Sequence, residues 1–239
     1  MTQFVATPTS EAASPTGHRR TAAMLVGGAV AVNLAFLGLG AVFDYPAVLN
    51  KPPADVLATF HTDQWVISGW FLVLALGAGL LAPIAVRVGR LDGSAALRAS
   101  VPVGIAAAAV QVIGLLRWPL LVPGLAARAA DPGTGDTFGT LNTVLGTVIG
   151  ESVGYGLTAV WTVLVAVGLR RSLLGLPLTV VGIAAAALIA TGIVEPLEVP
   201  MAGVANFIGY VIWSLWLLAV AVTLLLSARR AARGTAGAV

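Results

Sequence analysis

Six long apolar runs occupy most of this sequence and constrain its fold more than any other feature. They cover residues 22–43, 65–86, 99–122, 141–169, 176–194 and 203–227. A bilayer core about 30 Å thick is crossed by about 20 apolar residues in a helix, so each run is long enough to span it. The sequence therefore predicts an all-α integral membrane protein, a bundle of six transmembrane helices.

The composition supports lipid as the solvent of this chain. Hydrophobic residues make up 58% of it and charged residues only 10%, whereas about a quarter of the residues in soluble proteins are charged. The polar ends flank a single domain. We expect a disordered cytoplasmic tail over residues 1–20, the six-helix transmembrane domain over residues 21–228, and a basic cytoplasmic tail over residues 229–239.

The basic residues fall mainly on one side of the predicted bundle. When the loops are assigned to alternate sides, ten of the thirteen basic residues share a side, namely Arg19, Arg20, Arg87, Arg90, Arg98, Arg170, Arg171, Arg229, Arg230 and Arg233. The positive-inside rule then predicts that both termini are cytoplasmic. Because this role accounts for the basic charge, we expect no nucleic-acid partner. Arg is far more frequent than Lys, and Ala, Gly and Val are abundant. This composition indicates a bacterial origin, and we therefore expect the protein in the inner membrane.

Glu151 is the most informative polar residue, since it is the only charged residue between Leu141 and Leu169. An intramembrane charge costs about 2.5–3.5 kcal/mol on insertion scales, so the carboxylate needs a partner. Counting about 20 residues outward from the arginine clusters places Arg117 at the same depth on the neighbouring run. Two alternatives remain open. Either the two residues form an ion pair, or each extends to the headgroups, with Trp118 beside Arg117 at the interface.

A stripe of small residues runs beside Glu151. Gly146, Gly150 and Gly154 recur every four residues, a spacing typical of close helix contacts. Polar residues from the other runs reach the same depth, so the sequence predicts an outward-facing cavity lined by Glu151 and at least two of these neighbours. The predicted ligand-binding residues are Arg117, Asn142, Glu151, Tyr155, Glu195 and Asn206.

Several kinds of chemistry are disfavoured. The chain has no Cys, and its histidines, His18 and His61, lie outside the apolar runs, which excludes thiolate metal sites and a haem held between intramembrane histidines. One His near Asp63 is weak evidence for a metal, so we expect neither metal nor cofactor. Residues 150–154 match G-x-S-x-G, but inside a helix rather than at a strand-to-helix turn. The six-span rhomboid proteases need a histidine on the sixth span, where this chain has Asn206.

A pattern of residues in the last three runs resembles a known family. Its parts are Phe138, Leu141, Asn142, Gly150, Glu151, Gly154, Tyr155, the segment 157–159, Trp161, the segment 195–197, Asn206, Gly209, Tyr210, Trp213, Ser214 and Trp216. The pattern is similar to that of the bacterial membrane family catalogued as domain of unknown function 4386. The resemblance implies a multi-helix inner-membrane protein. It brings no assigned activity or catalytic residue.

Three functions fit the sequence. The first is binding of a small or lipid-like ligand in the polar pocket, for sensing, transport or an accessory role. The second is an enzyme that uses Glu151 or Glu195 as general acid or base on a lipid or isoprenoid substrate. The third is a structural partner subunit. Membrane lipids are the expected partners in each case, and assembly into an oligomer is compatible with all three.

Overall fold

The computed structural model describes residues 14–236, and this part of the chain is helical without strands. Six helices are long and apolar enough to cross a membrane, which confirms the predicted multi-pass helical architecture. We number them as spans 1 to 6 in chain order. Their bounds are Pro15–Phe43, Gln64–Val88, Ala95–Ala126, Thr134–Gly168, Arg170–Leu197 and Ala202–Arg233.

Most spans are built from more than one helical segment. Span 1 is α1 (Pro15–Phe43), and a 3₁₀ turn (Ala47–Asn50) and α2 (Pro53–Thr62) connect it to span 2. The remaining segments are α3 (Gln64–Gly79), α4 (Leu81–Val88), α5 (Ala95–Leu120), α6 (Val122–Ala126), α7 (Thr134–Leu141), a π-helix (Asn142–Val153), α8 (Gly154–Gly168), a π turn (Arg170–Leu174), α9 (Gly175–Ala190), a 3₁₀-helix (Thr191–Leu197) and α10 (Ala202–Ala236).

The first and the last helix both extend beyond the predicted bounds of the transmembrane domain. The backbone N–H of Gly17 donates to Ser14 Oγ at 3.0 Å, and Pro15 follows this N-cap, a combination that favours helix initiation. Residues 15–20, expected in the tail, are therefore the first turns of α1. At the other end α10 continues to Ala236. The rest of the two predicted tails, residues 1–13 and 237–239, lies outside the described residues.

The six spans form a closed ring. Each span packs against the one before and the one after it, and α10 packs against α1, so the last span meets the first. One apolar core joins the ends of the spans that carry the arginine clusters, and it includes Leu25, Leu97, Trp161 and Leu224. We call this side the arginine-rich end. Its core combines the starts of spans 1 and 3 with the ends of spans 4 and 6, so successive spans run antiparallel.

An aromatic cluster fills the opposite end of the bundle. Trp118 is fully buried there and stacks on Phe71, with ring centroids 4.8 Å apart and an interplanar angle of 6°. Phe43, Phe60 and Phe138 pack around the same indole. The ring of Trp118 is therefore buried inside the protein, a position that the sequence did not indicate. Residues of α2, α6 and α7 belong to the same cluster and remove the ring from both lipid and water.

The glycine stripe of span 4 lies directly against α5. A Cβ added to Gly114 would lie 2.7 Å from Gly150 Cα, and one added to Gly154 would lie 3.0 Å from Gln111 Cγ. Backbone therefore meets backbone at the Gly114–Gly150 crossing. The close helix contact predicted from the stripe is confirmed, and α5 is the partner helix.

Replacing Gly114 by Ala tests this crossing. The new methyl group would have to displace the backbone of span 4, because Gly150 Cα has no rotamer to change. Overpacking of this kind typically costs about 1–3 kcal/mol, so we expect a lower melting temperature of the detergent-solubilised protein. Gly27→Ala is the matched control, since a Cβ at Gly27 meets nothing within 4 Å. Equal melting temperatures for the two variants would contradict the close contact.

Candidate functional site

Arg117 belongs to α5 of span 3, and its side chain lies between spans 3 and 4. Only 4% of the residue's surface is exposed. Its Nη2 donates to Asn142 Oδ1 at 2.9 Å, and its Nη1 donates to the Gly114 carbonyl at 2.5 Å. Gly146 makes room for the guanidinium, since a Cβ there would lie 2.6 Å from Nη2. The side chain thus turns inward between the helices, and the headgroup alternative for Arg117 is wrong.

Glu151 and Arg117 do not form the ion pair that was one of the two alternatives. Among the described residues Glu151 has no hydrogen-bond or ion-pair partner, although it is close enough to Arg117 and Glu195 to feel their charges. The reason lies in the notch at Gly146. The guanidinium fits there, is held by the Asn142 amide oxygen, and does not reach the carboxylate further along span 4.

Span 4 contains a feature that the sequence does not reveal. Residues Asn142–Val153 form a π-helix of 12 residues between α7 and α8. Such helices bond i→i+5, are rare, and occur frequently at functional sites. Asn142, Gly146 and Glu151 all belong to it. The segment that holds Arg117 is therefore also the segment with unusual backbone geometry.

The side chains of Tyr155, on span 4, and Asn206, on span 6, both lie against Gly192 of span 5. A Cβ at Gly192 would collide with both the Tyr155 ring and the Asn206 amide group. The Asn206 Nδ2 donates to the Ile189 carbonyl at 2.7 Å. This carbonyl lies where α9 gives way to the 3₁₀-helix and where regular helical acceptors lose their partners. Asn206 thus has a structural role that its prediction as a ligand-binding residue did not include.

Glu195 lies in the 3₁₀-helix that ends span 5. Its carboxylate lies against the start of α10, because a Cβ at Gly203 would be 2.8 Å from Oε1. The residue is exposed, in contrast to Arg117. It lies at the end of the bundle that carries few arginines.

Tyr45 is a further polar residue at this end of the bundle, and the sequence did not indicate it. It follows span 1 in a connecting segment, where its ring packs edge-on against Phe71 at 5.3 Å. Burial raises the pKa of Tyr45 above its ordinary value; Glu151 raises it further, and Arg117 opposes that effect. The hydroxyl therefore keeps its proton at physiological pH. A tyrosine in a loop beside Pro46 carries no signal that would single it out.

The structure thus brings polar groups from several spans to one level. We define the polar layer as Tyr45, Arg117, Asn142, Glu151, Tyr155, Glu195 and Asn206. Within the layer, Arg117 contacts Asn142, and Tyr155 lies near Asn206. The other three members, Tyr45, Glu151 and Glu195, affect one another and Arg117 through their charges or dipoles. Its chemistry combines one buried cation with two carboxylates and several neutral hydrogen-bonding groups.

Neither of two surface cavities on the described residues borders the polar layer. The larger, about 490 Å³, opens at the surface of span 4 and is lined by Pro53, Gly135, Asp136, Gly139, Thr140, Thr143 and Val144. The smaller, about 100 Å³, lies at the arginine-rich end. The cavity predicted around Glu151 is neither of these. A role of the six predicted residues in binding a ligand stays a prediction.

Comparison with known proteins gives one match. Residues 21–221 match a family described as a domain of unknown function, number 4386. The matched segment starts within α1 and ends within α10, so it includes residues of all six spans. No curated protein and no solved structure matches the chain.

A double-mutant cycle tests the partner of Arg117. Because the guanidinium bonds to Asn142, the changes Arg117→Gln and Asn142→Ala should be non-additive, with a coupling free energy in the range of about 0.5–3 kcal/mol. The same cycle with Glu151→Gln should give a smaller coupling, since no direct bond joins the two charges. The melting temperature of the purified protein measures both. A larger coupling with Glu151 than with Asn142 would show that the ion pair exists.

Proposed function

Since the chain belongs to the family of domain of unknown function 4386, for which no activity is assigned, we propose a function from the geometry of its polar layer. The protein is a multi-pass protein of the bacterial inner membrane with both termini in the cytoplasm. Its polar layer faces the outer side and binds a small or lipid-like ligand. The role is sensing, transport or assistance to another membrane protein.

The state of Arg117 carries this proposal. Its guanidinium is buried, its two hydrogen bonds go to neutral oxygens, and its Nε is buried without a partner among the described residues. A buried charge with no close counter-ion costs several kcal/mol, and intramembrane charges are usually retained for function. A carboxylate or phosphate group of a ligand would supply the missing counter-ion, since the guanidinium fork suits both.

The surroundings of Arg117 favour entry from the side of the bundle. Asn142 and Glu151 are half-buried, and Val144 and Val148 on the same π-helix are exposed. Apolar side chains therefore lie beside the polar groups on one segment. A ligand with an apolar tail and a polar head matches this combination, which supports a lipid-like molecule.

Native mass spectrometry of the purified protein tests ligand binding. We expect a retained small molecule or lipid whose occupancy falls by about tenfold in Arg117→Gln, the loss typical of one charge-assisted contact. Tyr45→Phe, which preserves the packing of the ring, should weaken retention to a smaller extent. Arg128→Gln is the matched control, because the Arg128 side chain is exposed and, among the described residues, bonds only to the nearby Gly124 carbonyl. Equal occupancy in wild type, Arg117→Gln and Tyr45→Phe would refute the proposal.

The orientation is tested by labelling single cysteines, because the chain has none of its own. Ala54, Ala127 and Ala95 are all exposed, so each accepts a cysteine without disturbing the core. An impermeant maleimide added to intact spheroplasts should label Cys at positions 54 and 127 but not at position 95. Labelling at position 95 alone would reverse the orientation and place the polar layer on the cytoplasmic side.

A further inference from the structure

A small cavity lies at the arginine-rich end, where three of its lining residues adjoin arginine pairs in the chain, and we propose that this cavity binds a phosphate group. The cavity has a volume of about 100 Å³. Its polar lining comes from His18, Ser172 and Ser227, and the leucines Leu91, Leu169, Leu173 and Leu224 form the rest. This site lies at the opposite end of the bundle from the polar layer and does not depend on the function proposed there.

The three polar residues reach the cavity from separate parts of the ring. His18 lies in the first turns of α1, Ser172 in the π turn between spans 4 and 5, and Ser227 near the end of α10. Among the described residues, the buried Nδ1 of His18 has no hydrogen-bond partner. Within residues 14–236 neither serine hydroxyl has a partner. A buried ring nitrogen, the exposed hydroxyl of Ser172 and the half-buried hydroxyl of Ser227 thus line one space.

Each of these polar residues adjoins a pair of arginines in the chain. Arg19 and Arg20 follow His18, Arg170 and Arg171 precede Ser172, and Arg229 and Arg230 lie just beyond Ser227. All six are exposed. Arg87 donates to Thr21 one turn from His18 and adds a further positive charge, whereas Asp92, next to Leu91, is the neighbouring acid. Basic residues therefore outnumber acidic ones in the described chain segments that line the cavity.

The chemistry of the lining favours phosphate over other anions. Guanidinium groups and hydroxyls are common phosphate donors, and arginine suits its oxygens with paired hydrogen bonds. Three pairs of arginines exceed what one carboxylate would need. Basic pockets between helices at the cytoplasmic headgroups bind anionic lipids, and the arginines at this end of the spans are expected at that depth.

Topology alone does not account for these features. The positive-inside rule requires arginines near the ends of the spans, and any exposed positions in the loops satisfy it. It requires neither a cavity nor unpartnered polar groups between spans 1, 4, 5 and 6. The arrangement around His18 therefore calls for a ligand in addition to the orientation that the arginines specify.

The test measures binding of defined phosphate probes to the full chain in detergent. Short-chain phosphatidylglycerol is the first probe, inorganic phosphate the second, and phosphatidylcholine, whose headgroup has no net charge, the comparison lipid. Bound lipid is counted by native mass spectrometry, and the melting temperature gives an independent readout. We expect phosphatidylglycerol to bind the wild type and raise its melting temperature more than phosphatidylcholine does.

Variants of the cavity distinguish a built site from general charge attraction. The double variant Ser172→Ala with Ser227→Ala keeps every arginine and should weaken phosphatidylglycerol binding by about tenfold. Arg229→Gln with Arg230→Gln should weaken it by at least as much. Arg233→Gln, which removes a charge from the same end but further along α10, should leave binding unchanged.

The outcomes are separable. Competition by inorganic phosphate would show that a free phosphate group suffices, and its failure to compete would assign the site to the lipid headgroup. Equal phosphatidylglycerol binding by the wild type and the double serine variant would overturn the proposal, as would no preference over phosphatidylcholine. Because the serine changes are small and near the helix ends, loss of folding does not complicate the result.

Discussion

The backbone contact between Gly114 and Gly150 is the constraint on which the arginine-poor half of the bundle depends. Lipid tails are as apolar as leucine side chains, so helices in a bilayer gain little from the hydrophobic effect when they associate. Close approach of two backbones replaces that driving force with van der Waals contact. The same approach brings the Arg117 guanidinium into the notch at Gly146 and within 2.9 Å of Asn142. A wider crossing would separate these groups.

Hydrogen bonds between side chains also join the spans, both along the ring and across it. Gln111 donates to Thr158 at 3.1 Å between spans 3 and 4, and Trp213 donates to Thr162 at 2.8 Å between spans 6 and 4. Asn33 donates to Ser214 at 3.1 Å where the ring closes between spans 1 and 6. Bonds of this kind contribute about 0.6–2 kcal/mol each in membranes. These bonds fix the rotation of the helices about their axes and also stabilise the packing of the helices.

The sequence predicted the axial position of residues well and their rotation poorly. Apolar length identified the six spans, and counting from the arginine clusters placed Arg117, Glu151 and Asn206 at one level. The glycine stripe identified a packed face. Which residue faces Arg117 depends on how spans 3 and 4 are rotated about their axes, and the π-helix within span 4 changes its rotation without a local sequence signal. For this reason Asn142, rather than Glu151, is the direct partner. Tyr45 was missed because a loop has no periodicity to interpret.

The closure of the ring by α10 against α1 implies an order of assembly in time. Membrane proteins are made from the N-terminus, so spans 1 to 5 are synthesised before their last neighbour exists. Until α10 arrives, the Ile189 carbonyl lacks the amide of Asn206, and Asn33 lacks Ser214. The five-span intermediate therefore exposes polar groups along two open edges. Both edges close only when span 6 packs between spans 5 and 1, so a ribosome that stalls before span 6 leaves a product with both edges open.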